Sequence, residues 1–464
     1  MSDAIDLLIV GAGPAGMTAA IRARALGLAV TVVDDQPAPG GQIWRGVEAV
    51  AASDDGRRLG AEYVAGGAVA TEFRGCGATY EPGMQVWQIE PGFRVFVSRD
   101  GAARMLTARA VLLATGAQER PVPFPGWTLP GVLTVGAAQI LLKTANQVPA
   151  DPVWIAGGGP LALLYATQLL RAGGRIAGIL DTTPRRNARA ALPHLPQALL
   201  SLSELSKGLA WRRDLRRSGV RIVRHVSRFE AIGTDRVEAI RFTAPGGDGE
   251  LPASVILVHE GVVPTVHPTM ALGCAHDWHD GQLCWVPRVD AWGETSVAGI
   301  FVAGDGAGIG GAQAALHRGD IAALGIARRL GRLDETRSDW AATAPRRKLA
   351  RALATRPFLD ALFRPRPEHF APTDATIVCR CEALTAGALR KAAAVGTPGP
   401  NQVKAFTRAG MGPCQGRQCG YTVAHILADA QGRTVEEVGF YRIRPPLKPV
   451  TLGELAALDV PEPA

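Results

Sequence analysis

The chain has 464 residues, 47% hydrophobic and only 20% charged, which excludes a disordered polymer and allows roughly three domains of ordinary size. A formal charge of +8 is moderate for this length, and no basic stretch is interleaved with aromatics, so nucleic acid is not an expected partner. The early apolar run at residues 7–10 lacks a basic leader, no run of about 18 apolar residues occurs, and seven cysteines are better read as thiols or metal ligands than as disulfides; the expectation is a cytoplasmic protein with at most peripheral membrane contact.

"IDLLIV" at Ile5–Val10 reads as a buried parallel strand. It runs into "GAGPAG" at residues 11–16, a helix-compatible stretch to Leu26, and a second strand ending at Asp34, eighteen residues after Gly16. This is a complete βαβ dinucleotide pattern rather than a lone glycine motif. Gly11 permits the tight turn, Gly13 the approach of a pyrophosphate, and Gly16 close packing of helix on strand. Pro14 and Ala15 belong to the same loop, and the helix N-terminus offers free N–H groups to phosphate. Asp34 or Asp35 can accept from a ribose hydroxyl. Farther on, "VLLATGA" (residues 111–117) and "TSVAGIFVAGDG" (residues 295–306) are strands ending in glycine turns. With them the chain resembles the flavoproteins with two dinucleotide-binding domains, the superfamily of thioredoxin and glutathione reductases, over about residues 5–330. The resemblance implies FAD in the first site. It places Gly304 and Asp305 at the flavin ribitol, and Gly41 and Gln42 of "GGQIW" near the flavin. Thr115 and Gly116 are taken as further FAD contacts.

"PVWIAGGGPLALLYATQLLRAGG" repeats the logic, with Gly157, Gly159 and Ala162 in the G-x-G-x-x-A positions and Asp181 nineteen residues after Ala162. Asp181 favours an unphosphorylated ribose, while Arg185 and Arg186 favour a 2′-phosphate. NAD(H), NADP(H) or a structural adenine nucleotide therefore stay open. Cys76, Cys274 and Cys284 are isolated, so no cysteine pair faces the flavin as in disulfide reductases.

Residues 328–366 carry eleven Arg or Lys against four acids, with apolar positions suited to an amphipathic linker helix. Next come Cys379, Cys381, Cys414 and Cys419, spaced C-x-C-x32-C-x4-C. Four thiolates can hold a [2Fe–2S] cluster or a zinc ion. Beside a two-electron flavin module a one-electron cluster makes a relay, so the cluster is the expected occupant. The glycines of "GMGPCQGRQCG" free N–H groups to turn toward the sulfurs, and Arg380 and Arg417 adjoin ligands. The segment resembles the small helical bacterioferritin-associated-ferredoxin-like [2Fe–2S] domain, except that its ending is C-x4-C where C-x2-C is usual.

Together with "ATGAQERPVPFPGWTLPGVLTVGAAQ" (residues 114–139) and "HEGVVP" (residues 259–264), these motifs resemble the FAD-containing A subunits of the opine oxidase/dehydrogenase, D-hydroxyproline dehydrogenase and hydrogen cyanide synthase group. That resemblance implies a partner, an amino-acid-oxidase-like β subunit. It also admits FMN at a subunit interface and a small iron–sulfur subunit. The expected fold is α/β: two Rossmann-like domains plus a small helical domain. The expected boundaries are 1–130 with 286–330 for FAD, 131–285 for the second nucleotide, 331–372 for the linker, 373–440 for the cluster and 441–464 for a Pro-rich tail. The expected function is electron transfer within an amine or amino-acid dehydrogenase. A self-sufficient NAD(P)H-dependent reductase and a structural assembly subunit remain as alternatives. His259 and Glu260 are the only catalytic candidates, as a proton relay or a capped turn. His276 and His279 read as a polar loop.

Overall fold

The computed structural model describes residues 5–50 and 53–458. The chain divides into two compact units: residues 1–118, 263–353 and 443–464 in the first, and 119–262 with 354–442 in the second.

In the first unit, Ile5–Val10 lies between Val30–Asp34 and Ala102–Leu113, parallel to both. Thr79–Pro82 extends the sheet beyond Val30–Asp34, and Ile300–Val302 pairs with the far side of Ala102–Leu113. Leu7, Leu8, Ile9, Val32, Leu112 and Leu113 are fully buried, as expected for parallel strands covered on both faces. Ala102–Leu113 is long enough to continue into an antiparallel layer with Arg94–Arg99 and Gln85–Glu90. Helix Pro14–Ala25 starts with Gly13 as cap and Pro14 in its first turn, and it packs on helix Ala312–Arg329. Their approach is close, because a Cβ at Gly319 would meet Ala15 O at 2.2 Å. Helix Glu335–Leu353, inside the stretch read as a linker, packs on Ala312–Arg329 in turn. The Pro-rich tail is pinned to the same unit: Leu447 N–H donates to Trp87 O at 2.7 Å, and Lys448 pairs with Asp35.

The second unit holds a five-stranded parallel sheet in the order Ile222–Arg224, Ile176–Asp181, Val153–Gly157, Ile256–His259, Val132–Thr134. A three-stranded antiparallel meander, residues 228–252, closes over a core containing Phe124, Trp154, Phe229, Ile240 and Phe242. Residues 354–442 are mainly helical: Arg356–Leu362, Ala386–Ala394, Pro400–Thr407 and Gly420–Gln431, with a small hairpin of Ile377–Cys379 and Leu384–Thr385. The fold is thus the expected α/β type with two Rossmann-like sheets. No helix among the described residues is long and apolar enough to cross a membrane.

Candidate cofactor sites

Four glycine-bearing segments converge at the carboxyl ends of the first sheet. Gly11 is held at φ +105 with its Cβ position 2.6 Å from Ala114 O, and a Cβ at Gly16 would sit 1.9 Å from Gly11 O. Neither position admits a side chain without breaking the loop itself. Gly13 differs: its φ is −76, and its Cβ would meet only Gly41 Cα, at 3.7 Å. Gly41 backs onto Gly13, Gly304 onto Ala15, and Gly306 onto Gly116. This is a backbone-lined cradle beside a helix N-terminus, suited to a pyrophosphate. Asp34 accepts from Ala12 N–H and from Gln36 N–H (2.7 Å), so it braces the loop; burial pushes its carboxyl pKa up. Asp35 instead pairs with Lys448; burial opposes its ionisation, but the ammonium outweighs it and the pKa falls. Asp305 accepts from Gly310 and Gly311 N–H (2.8 and 2.9 Å) and so shapes the turn before helix Ala312–Arg329. Gln42 is bonded to Arg45, and the Thr115 hydroxyl points to Thr265 O at 3.5 Å.

The second loop opens on a cleft lined by Gly157, Gly159, Ala162 and Asp181. The guanidiniums lining it are those of Arg212, Arg216 and Arg224, supplied by helix Leu202–Arg217 and strand Ile222–Arg224. The pair expected from sequence, Arg185 and Arg186, begins a separate helix. Asp181 accepts from Thr183 N–H at 3.0 Å. Phe363 forms one wall, 3.8 Å from a Cβ placed on Gly158. Its segment is strapped down on both sides: Asn187 Nδ2 donates to Leu362 O (3.1 Å) and Arg364 O (2.9 Å), and Arg366 Nε donates to Thr182 O at 2.6 Å.

His259 and Glu260 end the strand beside this second loop, and both are buried. The His259 ring lies 3.5 Å from a Cβ placed on Gly159, and its Nδ1 is 2.7 Å from Glu119 Oε1. Glu260 accepts from Thr182 Oγ1 at 2.7 Å and lies 3.1 Å from His369 Nε2. Burial alone would raise its pKa, but His369, Thr182 and His259 reverse this and hold it below the usual value. The pair is therefore a buried brace between the sheet and the segment leading to the cysteines. Removing one partner of such a pair costs about 3–5 kcal/mol. His369→Ala should accordingly lower the Tm of this unit by roughly 6–20 °C in a thermal melt. Because the folded pKa of Glu260 is depressed, its contribution is present above about pH 4.3 and lost as pH falls through the folded value. The gap between wild type and Glu260→Gln should shrink in acid; a gap that widens there would contradict the assignment.

The four clustered cysteines meet in two cross-pairs, each joining one member of the C-x-C to one of the C-x4-C. Cys379 and Cys419 lie close enough to shift each other's ionisation, and Cys414 raises that of Cys381. Cys379 is pulled down to about 6, first by the Cys419 thiol, against burial, and then by the N–H groups of Gly410, Glu382 and Cys381. Cys419, donating to Cys379 and buried, is pushed well up. Of the three backbone donors to Cys379, Gly410 belongs to the glycine-rich segment, and Cys381 and Glu382 to the C-x-C turn. Arg380 lies over Trp127, 5.8 Å from its ring centroid, and Arg417 Nε donates to Cys414 O at 3.0 Å. Among the described residues no three His, Cys, Asp or Glu side chains close on a single ion position. Four thiols from two neighbouring segments are the number of donors that a [2Fe–2S] cluster would need.

Residues 5–319 match the pyridine nucleotide-disulphide oxidoreductase family. The chain belongs to that family. This oxidoreductase is 45% identical over 99% of its length to the opine oxidase A subunit of Agrobacterium tumefaciens (strain Ach5), covering 92% of that relative. It is 33% identical to hydrogen cyanide synthase subunit HcnB of Pseudomonas aeruginosa, with 96% of each chain covered. Residues 374–459 match the sarcosine oxidase A3 domain. Its fold matches L-proline dehydrogenase from P. horikoshii with a TM-score of 0.72 at 20% identity, covering 97% of this chain and 79% of that one. The family fold implies FAD, and the protein is a flavin-dependent oxidoreductase. Sequence reasoning about this oxidoreductase missed Arg212, Arg216, Arg224 and Phe363. They carry no motif and reach the second loop only through the folding of later elements.

Proposed function

We propose that this chain is the electron-transferring subunit of a heteromeric amine or amino-acid dehydrogenase, with FAD at the first loop and a [2Fe–2S] cluster at Cys379, Cys381, Cys414 and Cys419. The observation that carries the reading is the meeting of the four thiols in two cross-pairs in a chain with an FAD cradle. The names of its relatives, subunits of opine oxidase and hydrogen cyanide synthase, support a partner-dependent activity. An amino-acid-oxidase-like β subunit is the proposed electron source; interfacial FMN and a small iron–sulfur subunit are compatible with it. When bound, FAD accepts electron pairs and the cluster passes electrons singly. The chain's own residues bind and shape. Gly11, Gly13, Pro14, Ala15, Gly16 and Gly41 admit the pyrophosphate, and Asp34 and Asp305 hold the loops that face the flavin.

Oxidising a C–H bond beside nitrogen needs a clamp for the substrate and a water-excluding pocket. The charged groups around the first loop are spent on its own architecture: Asp34 on Ala12 N–H, Asp305 on Gly310 and Gly311, Arg45 on Gln36 and Gln42, Arg318 on the carbonyls of Gly304 and Gly308. In anaerobic mixing, opines, D-hydroxyproline, proline, sarcosine and glycine should each leave the flavin of the lone chain oxidised. Adding the partner subunit should restore reduction by its substrate. Substrate-dependent bleaching by the lone chain would overturn this reading.

A second reading, a self-sufficient NAD(P)H-dependent reductase, draws support from the three arginines of the second cleft. Against it stands Phe363, strapped over the glycine loop on which a dinucleotide must lie. Rapid flavin reduction by NADH or NADPH alone would favour the reductase.

A further inference from the structure

The loop that carries Cys414 and Cys419 is built around an aromatic side chain from outside it. Tyr441 follows helix Gly420–Gln431 and the short turn of helix Val435–Val438, and it is only 2% exposed. Its ring fills a slot that exists because two loop positions are glycine: a Cβ at Gly410 would come within 2.7 Å of the ring, and one at Gly416 within 2.6 Å. Gly420 makes the same room for Phe440, whose Cζ lies 2.4 Å from a Cβ there. Phe440 meets the Tyr441 ring edge-on at 5.9 Å, and the Lys404 ammonium lies 5.7 Å from its centroid. The phenol is thereby aimed at one atom. Tyr441 Oη is 3.9 Å from Cys419 Sγ, at the long end of O–H···S contact, and Cys419 is fully buried. A thiolate ligand has no proton to give, so in a metal-bound site the phenol must be the donor.

We propose that Tyr441 raises the reduction potential of the centre by donating its O–H to Cys419 Sγ. This rests on the reading that the four cysteines hold a [2Fe–2S] cluster. Reduction adds one negative charge, shared with the ligand sulfurs. A hydrogen bond to such a sulfur is stronger in the reduced state, and so favours that state. Cys419 is the ligand that needs this help, because burial denies it a donor from water.

The test is an EPR-monitored redox titration of the complete complex, purified anaerobically, as wild type and Tyr441→Phe. The substitution keeps the ring in its slot and removes only the donor. Iron and labile sulfide should match wild type. The balance between oxidised and reduced cluster should move about tenfold toward oxidised, about 59 mV for a one-electron couple. The flavin midpoint, read in the same samples, should stay in place. An intact cluster with an unmoved midpoint overturns the proposal. Should Tyr441→Phe fail to load iron, fluorotyrosine incorporation decides. The chain has five tyrosines, and fluorination strengthens the phenol as a donor at nearly constant size. The midpoint should then rise; an unchanged or lower value overturns the proposal. Wild-type protein without iron and labile sulfide would refute the underlying cluster assignment instead, whatever Tyr441 does.

Discussion

Gly13→Val is expected to strip FAD from the protein while leaving the fold and the iron content in place. The three glycines of the first motif are not equivalent. At Gly16 a Cβ would lie 1.9 Å from Gly11 O, and at Gly11 the backbone sits at φ +105 with Ala114 O 2.6 Å from the Cβ position. Substituting either breaks contacts the chain makes with itself, so loss of FAD there says little about binding. Gly13 has an ordinary φ of −76, and the only atom within 4 Å of its Cβ position is Gly41 Cα. The protein tolerates a side chain here, and the space that side chain enters is the cradle. A valine should therefore clash with a pyrophosphate and with little else, at a cost of a few kcal/mol. FAD occupancy should fall at least about tenfold. The melting temperature without cofactor should stay near that of wild-type apoprotein, whereas Gly16→Val should lower it sharply. Full FAD content in Gly13→Val would remove the first loop from the binding site.

The same distinction explains what the sequence could show. Glycine motifs, the strands before them and the acids after the second strands lie within about thirty residues of one another, so spacing exposes them. Choosing between Asp34 and Asp35 was not possible that way. Asp35 is engaged by Lys448 of the tail, a contact between residues 413 apart in the chain. The basic wall of the second cleft had the same character: Arg185 and Arg186 stood nearest in sequence, but the sheet order brings Arg224 next to Asp181, with Arg212 and Arg216 on the preceding helix. His259 and Glu260 stood out, as a proton relay or a capped turn, because they end an apolar strand. Their partners, Glu119, Thr182 and His369, come from three other segments and turn the pair into a brace. In the cysteine loop the glycines were legible but half their reason was not. Gly410 turns its N–H toward Cys379, and Gly410, Gly416 and Gly420 also make room for Tyr441 and Phe440.

Replacing Cys379 by alanine should abolish the iron–sulfur centre and leave FAD bound. Cys379 is the member of the set held as a thiolate near neutral pH, through the Cys419 thiol and the N–H groups of Gly410, Glu382 and Cys381. It is also buried, on the short strand Ile377–Cys379 whose Ile377 carbonyl accepts from Trp127 Nε1 at 2.7 Å. A metal ion meets a ready anion there, whereas Cys381 and Cys419, whose pKa values are pushed up, must each release a proton on binding. No water can take over as ligand at a position with 1% exposure. Iron should drop from about two per chain to near zero, with labile sulfide falling in parallel. Exposed Cys381 offers the internal comparison: serine there is open to solvent and can present an oxygen ligand, so Cys381→Ser should retain part of its iron in a less stable form. The FAD cradle is made by residues of the first unit, and neither substitution touches it, so flavin content should match wild type in both. Two irons persisting in Cys379→Ala, or stoichiometric zinc in protein from iron-replete cells, would defeat the cluster assignment and with it the relay, because the flavin would then have no one-electron carrier in this chain to hand its electrons to.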